Sequence, residues 1–347
     1  MYFKKILLAI AIIGLIIAAF FANFVYKAMF KANTAFNNEV AYIYISSNAN
    51  YNEVREQLQP LLVDIDAFDA LAQRKQYNTN IKAGKYAIKK DMSNNDIINS
   101  IRINNIPIKI AFNNQESLEK LAGRIATQIE TDSLSLFETM NDQDFLKNNG
   151  FSNKTALGMY IPNSYEFFWN TSAKTFRDKM LNEYNRFWNS NRRTKADALK
   201  LSKDEVMTLA SIVQKETAKV DERPRVAGVY VNRLKRGMPL QADPTVIFAI
   251  KEKANDFDKV IKRVLYKDLE IDSPYNTYKY AGLPPGLIAM PDISSIDAVL
   301  NYEKHNYIYF VVNVEKFGYH KFAKTLTQHN RNKQEYVRWI NKKGINR

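Results

Sequence analysis

The sequence predicts an α+β protein in three parts: an N-terminal membrane-spanning helix, a small α+β module and a larger mixed α/β unit. Three observations carry this. Residues 6–26 form one apolar stretch; residues 40–112 switch between alternating and helical spacing of apolar side chains; and from about residue 115 the pattern is helical as far as Leu201 and mixed beyond it. A chain of 347 residues with 46% hydrophobic and 12% aromatic content is long enough for two folded units, each with its own core.

The apolar stretch runs from Ile6 to Ala22 and continues through Asn23 to Tyr26. At 1.5 Å per residue, about 21 residues cross a hydrocarbon core of about 30 Å. Lys4 and Lys5 precede it, which keeps the N-terminus cytoplasmic and sends the rest of the chain across the membrane. The stretch is long for a signal peptide, and no small-x-small cleavage site precedes Lys27, so an uncleaved anchor over residues 1–30 is expected. The polar, Asn-rich segment Lys27–Glu39 then reads as a short stalk.

The net charge of +14 would suit nucleic acid, anionic lipid or an acidic polymer. A translocated domain meets little nucleic acid, which is therefore excluded as a partner, and the basic residues are spread along the chain rather than gathered into a stripe. There is no cysteine, so disulfides and thiolate chemistry are excluded.

In the small module, Val40–Ser46 alternates as a strand. Val54, Leu58 and Leu61 then recur at helical spacing, a second helix carries Ile65, Phe68 and Leu71, and Gly84 turns the chain into a short strand through Tyr86 and Ile88. Ser93 with Asp96 forms a capping box for a helix through Ile97, Ile98 and Ile101, and Ile106, Ile108, Ile110 and Phe112 alternate as a strand. Asn113 and Asn114 break the pattern before a helix with Leu118, Leu121, Ala122, Ile125 and Ile129 on one face. These signals bound one domain at 40–112 and the next at 115–347, the latter with a strand over Tyr307–Val314.

Ser202 and Glu205 form a second capping box. The helix they open places Val206, Leu209, Val213 and then Glu216 on one stripe, a carboxyl on an apolar face. Burial disfavours the charged form of a glutamate and lets it hold a proton near neutral pH, as a general acid must. The bland alternative, which the pattern alone favours, is a structural glutamate neutralised by Arg223 or Arg233. Glu222 precedes Pro224 and a helical stripe of Val226, Val229, Tyr230 and Leu234 stopped by Gly237, where it could simply be a dipole-compensating acid. Asp243 before Pro244 reads equally as a turn former. The loop Tyr275–Tyr278 and the run Gly282–Gly286 offer rings and amides that suit sugars, or a loop packed on its own domain.

Other chemistries lack parts. There is no GxGxxG, Walker loop, GxSxG elbow or HExxH helix. The three histidines, His305, His320 and His329, match no common zinc spacing. No metal or organic cofactor is implied.

Taken in order, Leu209–Thr217 (LASIVQKET), Glu222-Arg223, Asn232–Leu234 (NRL), Gly237-Met238, Leu240–Val246 (LQADPTV), Tyr275–Tyr278 (YNTY) and Gly282–Gly286 (GLPPG) resemble the YceG-like family of endolytic murein transglycosylases. The match continues to His320, Phe322 and Gln328–Asn330 and covers roughly the C-terminal two thirds. The resemblance implies that Glu216 is the catalytic acid/base and that Glu222, Gln241, Asp243, Tyr275 and Asn276 line or support the cleft. It also implies a LysM-like module between anchor and catalytic domain, and a lytic cut between N-acetylmuramic acid and N-acetylglucosamine within nascent glycan that leaves 1,6-anhydro ends and terminates elongation. The implied partners are peptidoglycan strands and the inner membrane, with peptidoglycan synthases as candidates. Gln214 departs from the family where relatives often carry a second glutamate, and Asn163-Ser164 replaces Asp-Thr. The rival expectations are a hydrolytic muramidase, with Asp243 or Glu222 activating water, and a non-catalytic cell-wall scaffold.

Overall fold

The computed structural model describes residues 2–342. Its contacts divide the chain into two compact units. One runs to Ile110 and takes in Gln128–Thr131 and Tyr165–Ser172; the other takes in Ala111–Thr127, Asp132–Ser164 and the chain from Ala173 on.

The first unit begins with helix α1 (Tyr2–Phe30). Its segment Phe3–Lys27 has a mean hydropathy of 2.7 and none of it is buried, so it is long and apolar enough to cross a membrane. Strand β1 (Val40–Ile45) leads to α2 (Tyr51–Leu58), whose N-cap Asn50 accepts from the backbone N–H groups of Asn52 and Glu53. Pro60 turns the expected end of this helix into a single 3-10 turn. Helix α3 (Ile65–Arg74), strand β2 (Gly84–Lys89), helix α4 (Asn94–Ile103) and strand β3 (Pro107–Phe112) follow. The Ser93–Asp96 capping box is present as expected.

β1 and β2 pair antiparallel from Val40↔Lys89 to Ile45↔Gly84. Ile43, Ile45, Tyr86 and Ile88 from this ladder pack with Val54, Leu58, Phe68, Ile97, Ile98 and Ile101 into one core. Gly84 sits at φ +150°, and a Cβ there would strike the Asn105 side chain at 2.4 Å, so the close approach requires glycine.

The stalk expected after the anchor is not a stalk. Asn33 is buried, its Nδ2 donates to the Asp64 carbonyl (2.8 Å) and to Asn94 Oδ1 (2.6 Å), and Ala32 and Thr34 form single bridges to Ser93 and Leu62. Asn-rich composition resembles a linker, but a buried amide stitched at both ends orders the backbone as a strand would.

The second unit is built mainly of helices. They are α5 (Leu118–Ala126), α6 (Ser133–Met140), α7 (Gln143–Asn148), α8 (Ala173–Phe187), α9 (Ser190–Leu199), α10 (Lys203–Glu216), α11 (Arg223–Lys235), α12 (Asp243–Ala254), α13 (Ile293–Leu300) and α14 (Leu326–Lys342). Strand β4 (Asn163–Phe168), most of it in the first unit, pairs with β3. The hairpin β5 (Tyr309–Val312) and β6 (His320–Ala323) pairs antiparallel from Tyr309↔Ala323 to Val312↔His320. The described strands therefore occur as isolated pairs, not as a continuous sheet.

Two helical expectations change. α5 stops at Ala126, where Thr127 turns back to donate its hydroxyl to the Arg124 carbonyl at 2.9 Å, so Ile129 falls beyond the helix. α10 is buried on every side from Val206 to Val213, not along one stripe, because α9, α11, α12 and α13 all pack against it.

Candidate active site

Glu216 is the last residue of α10, at the point where this buried helix emerges into a cleft. The cleft has a volume of about 890 Å³, and Gln241, Asp243, Tyr278 and His320 share its wall with Glu216. Burial of the carboxyl pushes its pKa up to about 7, against opposing pulls from the Tyr230 hydrogen bond and the charges of His320 and Arg233; the Asp243 charge adds to the rise. Its position at a helix C-terminus, the negative end of the macrodipole, acts in the same direction.

The Tyr230 hydroxyl donates to Glu216 Oε1 at 2.8 Å. Tyr230 comes from α11, is fully buried, and meets Phe310 edge-on at 5.9 Å. Burial raises its own pKa well above the ordinary range, so it remains the donor.

Neither arginine offered by the sequence neutralises Glu216. Arg223 donates to both Asp292 oxygens at 2.8 Å and to Ser294. Arg233 donates to the carbonyls of Ile308 (2.7 Å), Pro239 (3.0 Å) and Leu240 (2.9 Å) and to Gln241 Oε1 (3.0 Å). Among the described residues Glu216 has no ion-pair partner, so its carboxyl is free to take and release a proton.

Glu222, six residues on, is the opposite case. Its oxygens accept from the His320 backbone N–H (2.7 Å), His320 Nδ1 (2.8 Å) and the Thr217 hydroxyl (3.0 Å). Burial pushes its pKa up, but these hydrogen bonds and the His320 charge outweigh it and hold the carboxyl below its usual range. Instead of capping α11 it fixes the first residue of β6, and with it one wall of the cleft.

The remaining predicted positions separate into two groups. Gln241 and Asp243 line the cleft; Gln241 adopts a left-handed φ of +54°, and Asp243 accepts from the Tyr278 hydroxyl at 2.5 Å. Tyr275 and Asn276 are buried and support it from behind. Tyr275 packs on Phe248 at 4.5 Å, and Asn276 Nδ2 donates to the carbonyls of Leu269 and Ile271, both at 2.8 Å. Thr277 joins the two loops: its carbonyl accepts from the Gln241 N–H (3.0 Å) and its hydroxyl oxygen from the Ala242 N–H (3.0 Å).

Gln214 is structural here, its Oε1 accepting from the Ser295 hydroxyl (2.5 Å) and the Asp292 N–H (3.3 Å) at the start of α13. Asn232 Nδ2 donates to the carbonyls of His305 (2.7 Å) and Tyr307 (2.9 Å). Gly228 lets residues 303–305 approach, since a Cβ there would lie 2.5 Å from the Glu303 carbonyl oxygen. The apolar stripe of α11 reads Tyr230 as core, and the site residues expected from the sequence do not include Arg233 or Tyr278. Their one signal is a polar tip within an otherwise apolar or loop-forming motif.

Fold and site together define a mixed α+β protein with a glutamate of raised pKa where a buried helix ends in an open cleft. The chain belongs to the YceG-like family, which it matches over residues 43–335. It is 31% identical over 283 residues to a Bacillus subtilis protein named endolytic murein transglycosylase, covering 76% of each chain. It is 28% identical over 298 residues to a Streptococcus pneumoniae protein of the same name, covering 78% of this chain and 53% of that one. A YceG-like protein of known structure from Listeria monocytogenes superposes with a TM-score of 0.57 at 29% identity, over 85% of this chain and 99% of its own.

Proposed function

We propose that the chain is a membrane-anchored endolytic transglycosylase that cuts peptidoglycan glycan strands, with Glu216 as its acid and base. The carrying observation is the Glu216 carboxyl, set in an open cleft without an ion-pair partner and with its pKa raised to about 7. The names of the relatives support the same reading.

In this mechanism protonated Glu216 gives its proton to the glycosidic oxygen between N-acetylmuramic acid and N-acetylglucosamine as the bond to muramyl C1 breaks. The muramyl 2-acetamido group steadies the oxocarbenium-like centre. Glu216, now a carboxylate, takes the proton of the muramyl C6 hydroxyl as that oxygen bonds to C1 and closes the 1,6-anhydro ring. The glutamate ends as it began and no water is consumed. Tyr230 steadies the carboxylate between the two transfers, and Asp243, Gln241 and the Tyr275–Tyr278 loop shape the sugar sites.

In the same reading residues 1–30 form the anchor with a cytoplasmic N-terminus, residues 40–112 a LysM-like module and residues 115–347 the extracytoplasmic catalytic domain. Peptidoglycan synthases are the candidate protein partners, which such a terminator of elongation would work beside. Mass spectrometry of nascent, uncrosslinked glycan after incubation with the protein tests the chemistry. Products one water lighter than hydrolytic ends, absent with Glu216→Gln, are expected; reducing ends would replace the lytic reading with a hydrolytic one, and uncut glycan would overturn both.

A further inference from the structure

The cleft that holds Glu216 carries more positive charge than a neutral sugar chain requires. Lys262 and Arg263 reach it from the loop after α12, and Lys333 from α14. All three are exposed and none has a carboxylate partner among the described residues. Elsewhere in this unit Arg177, Arg192, Arg223 and Arg225 each hold a carboxylate. Against the three cations the cleft offers two carboxyls: Asp243, already hydrogen-bonded by Tyr278, and Glu216, neutral below about pH 7. Beside the cations the Tyr266 ring is 80% exposed, a stacking surface of the kind that sugars and extended chains use.

Alternating N-acetylated hexoses are uncharged. A glycan strand carries its negative charge on the 3-O-lactyl arm of each muramyl residue, either as the free lactyl carboxylate or as carboxylates of the peptide attached there. Building on the glycan-cutting reading, we propose that Lys262, Arg263 and Lys333 form a subsite for a carboxylate borne on the muramyl side arm, so that the enzyme selects strands by pendant charge. Rings and amides hold the sugar while the cations hold the arm. Because the cations are exposed, their attraction is modest for each pair, and three together give a preference of about tenfold that falls as salt rises.

The test uses the full-length protein and three strand preparations: peptides intact, peptides removed to leave the lactyl carboxylate, and the same stripped strands with that carboxylate converted to a neutral amide. Cutting rates and equilibrium binding by the Glu216→Gln protein are both measured. The expected result is that the neutral strand is cut and bound about tenfold more weakly than at least one charged strand. Combined Lys262→Gln, Arg263→Gln and Lys333→Gln should erase the difference, and Lys333→Arg should keep it. Equal handling of stripped and intact strands locates the recognised carboxylate on the lactyl group; preference for intact strands locates it on the peptide. Equal binding of all three forms, or a preference that survives the triple substitution, overturns the proposal. Strands that are bound with the expected ranking yet never cut by the parent protein would overturn the lytic reading and leave this one standing.

Discussion

Glu216 at the end of α10 and Glu222 just before α11 lie six residues apart, yet the two carboxyls are driven in opposite directions. Glu216 receives one hydrogen bond, and burial raises its pKa to about 7. Glu222 is buried too but receives three, two of them from His320, and is held low. Burial alone therefore does not decide protonation; the number of donors aimed at the buried oxygens does. Pairs of carboxyls pushed apart in this way are how one site holds a proton donor and a fixed anion at the same pH.

Removing the acid gives the largest expected effect. Glu216→Gln should lower the cutting rate by about 10² to 10⁴, measured on nascent glycan, with an unchanged circular dichroism spectrum. In the parent protein the rate should fall as pH rises through about 7, because the donor form is lost. Stability should follow the same sign. Between the ordinary 4.5 and about 7 the folded chain keeps a proton that the unfolded chain has released, so stability declines as pH rises through that window; Glu216→Gln should flatten the decline in denaturant titrations.

Breaking the other half of the comparison comes next. Glu222→Gln removes a charged acceptor of three hydrogen bonds and should cost about 1.5 to 3 kcal/mol of stability. The rate should fall on the order of tenfold as the β6 wall of the cleft loosens. Its pH sign is reversed: a carboxyl with a depressed folded pKa contributes stability above its unfolded value and loses it as pH falls through the folded one. The parent should therefore lose an acid-side increment that Glu222→Gln never had, which thermal melts below pH 5 would register.

Asn276→Ala tests the support behind the cleft and should cost about 1 to 3 kcal/mol, since it leaves the Leu269 and Ile271 carbonyls without their donor. Its kinetic effect should fall on KM more than on kcat if the loop only shapes the sugar site. The smallest effect sharpens the comparison directly. Tyr230→Phe removes the one donor that Glu216 has among the described residues, so the basic limb of the rate profile should move to higher pH, with a modest fall in the rate below it as the carboxylate loses that support.

Much of this architecture was legible along the chain. The apolar run of α1, the capping boxes at Ser93 and Ser202, the Pro224 and Gly237 punctuation of α11 and the alternation of β1 and β3 all act over a few residues, so spacing alone specifies them. Val206, Leu209 and Val213 set Glu216 on an apolar stripe, a pattern that by itself favours a structural glutamate; the resemblance carried by LASIVQKET is what implied a catalytic one, and LQADPTV and YNTY marked the loops around it. The residues around 31–36 misled, because Asn-rich composition says nothing about where an amide will find partners, and Asn33 found them about 30 and 60 residues away. Tyr275 and Asn276, expected to line or support the cleft, brace its loop from behind, and which of the two they do is set by the way a short turn faces.

The sequence by itself determined the elements and the boundaries set by caps and breakers, since these depend on contacts between near neighbours. Only the tertiary structure decided what each carboxyl meets: that Tyr230 from the next helix reaches Glu216, that β6 brings His320 back to Glu222 across 98 residues, that Arg233 spends its donors on carbonyls, and that three cations gather at the cleft. A pKa and a charge balance are sums over whatever lies within a few ångströms, and proximity between distant segments is created by packing alone.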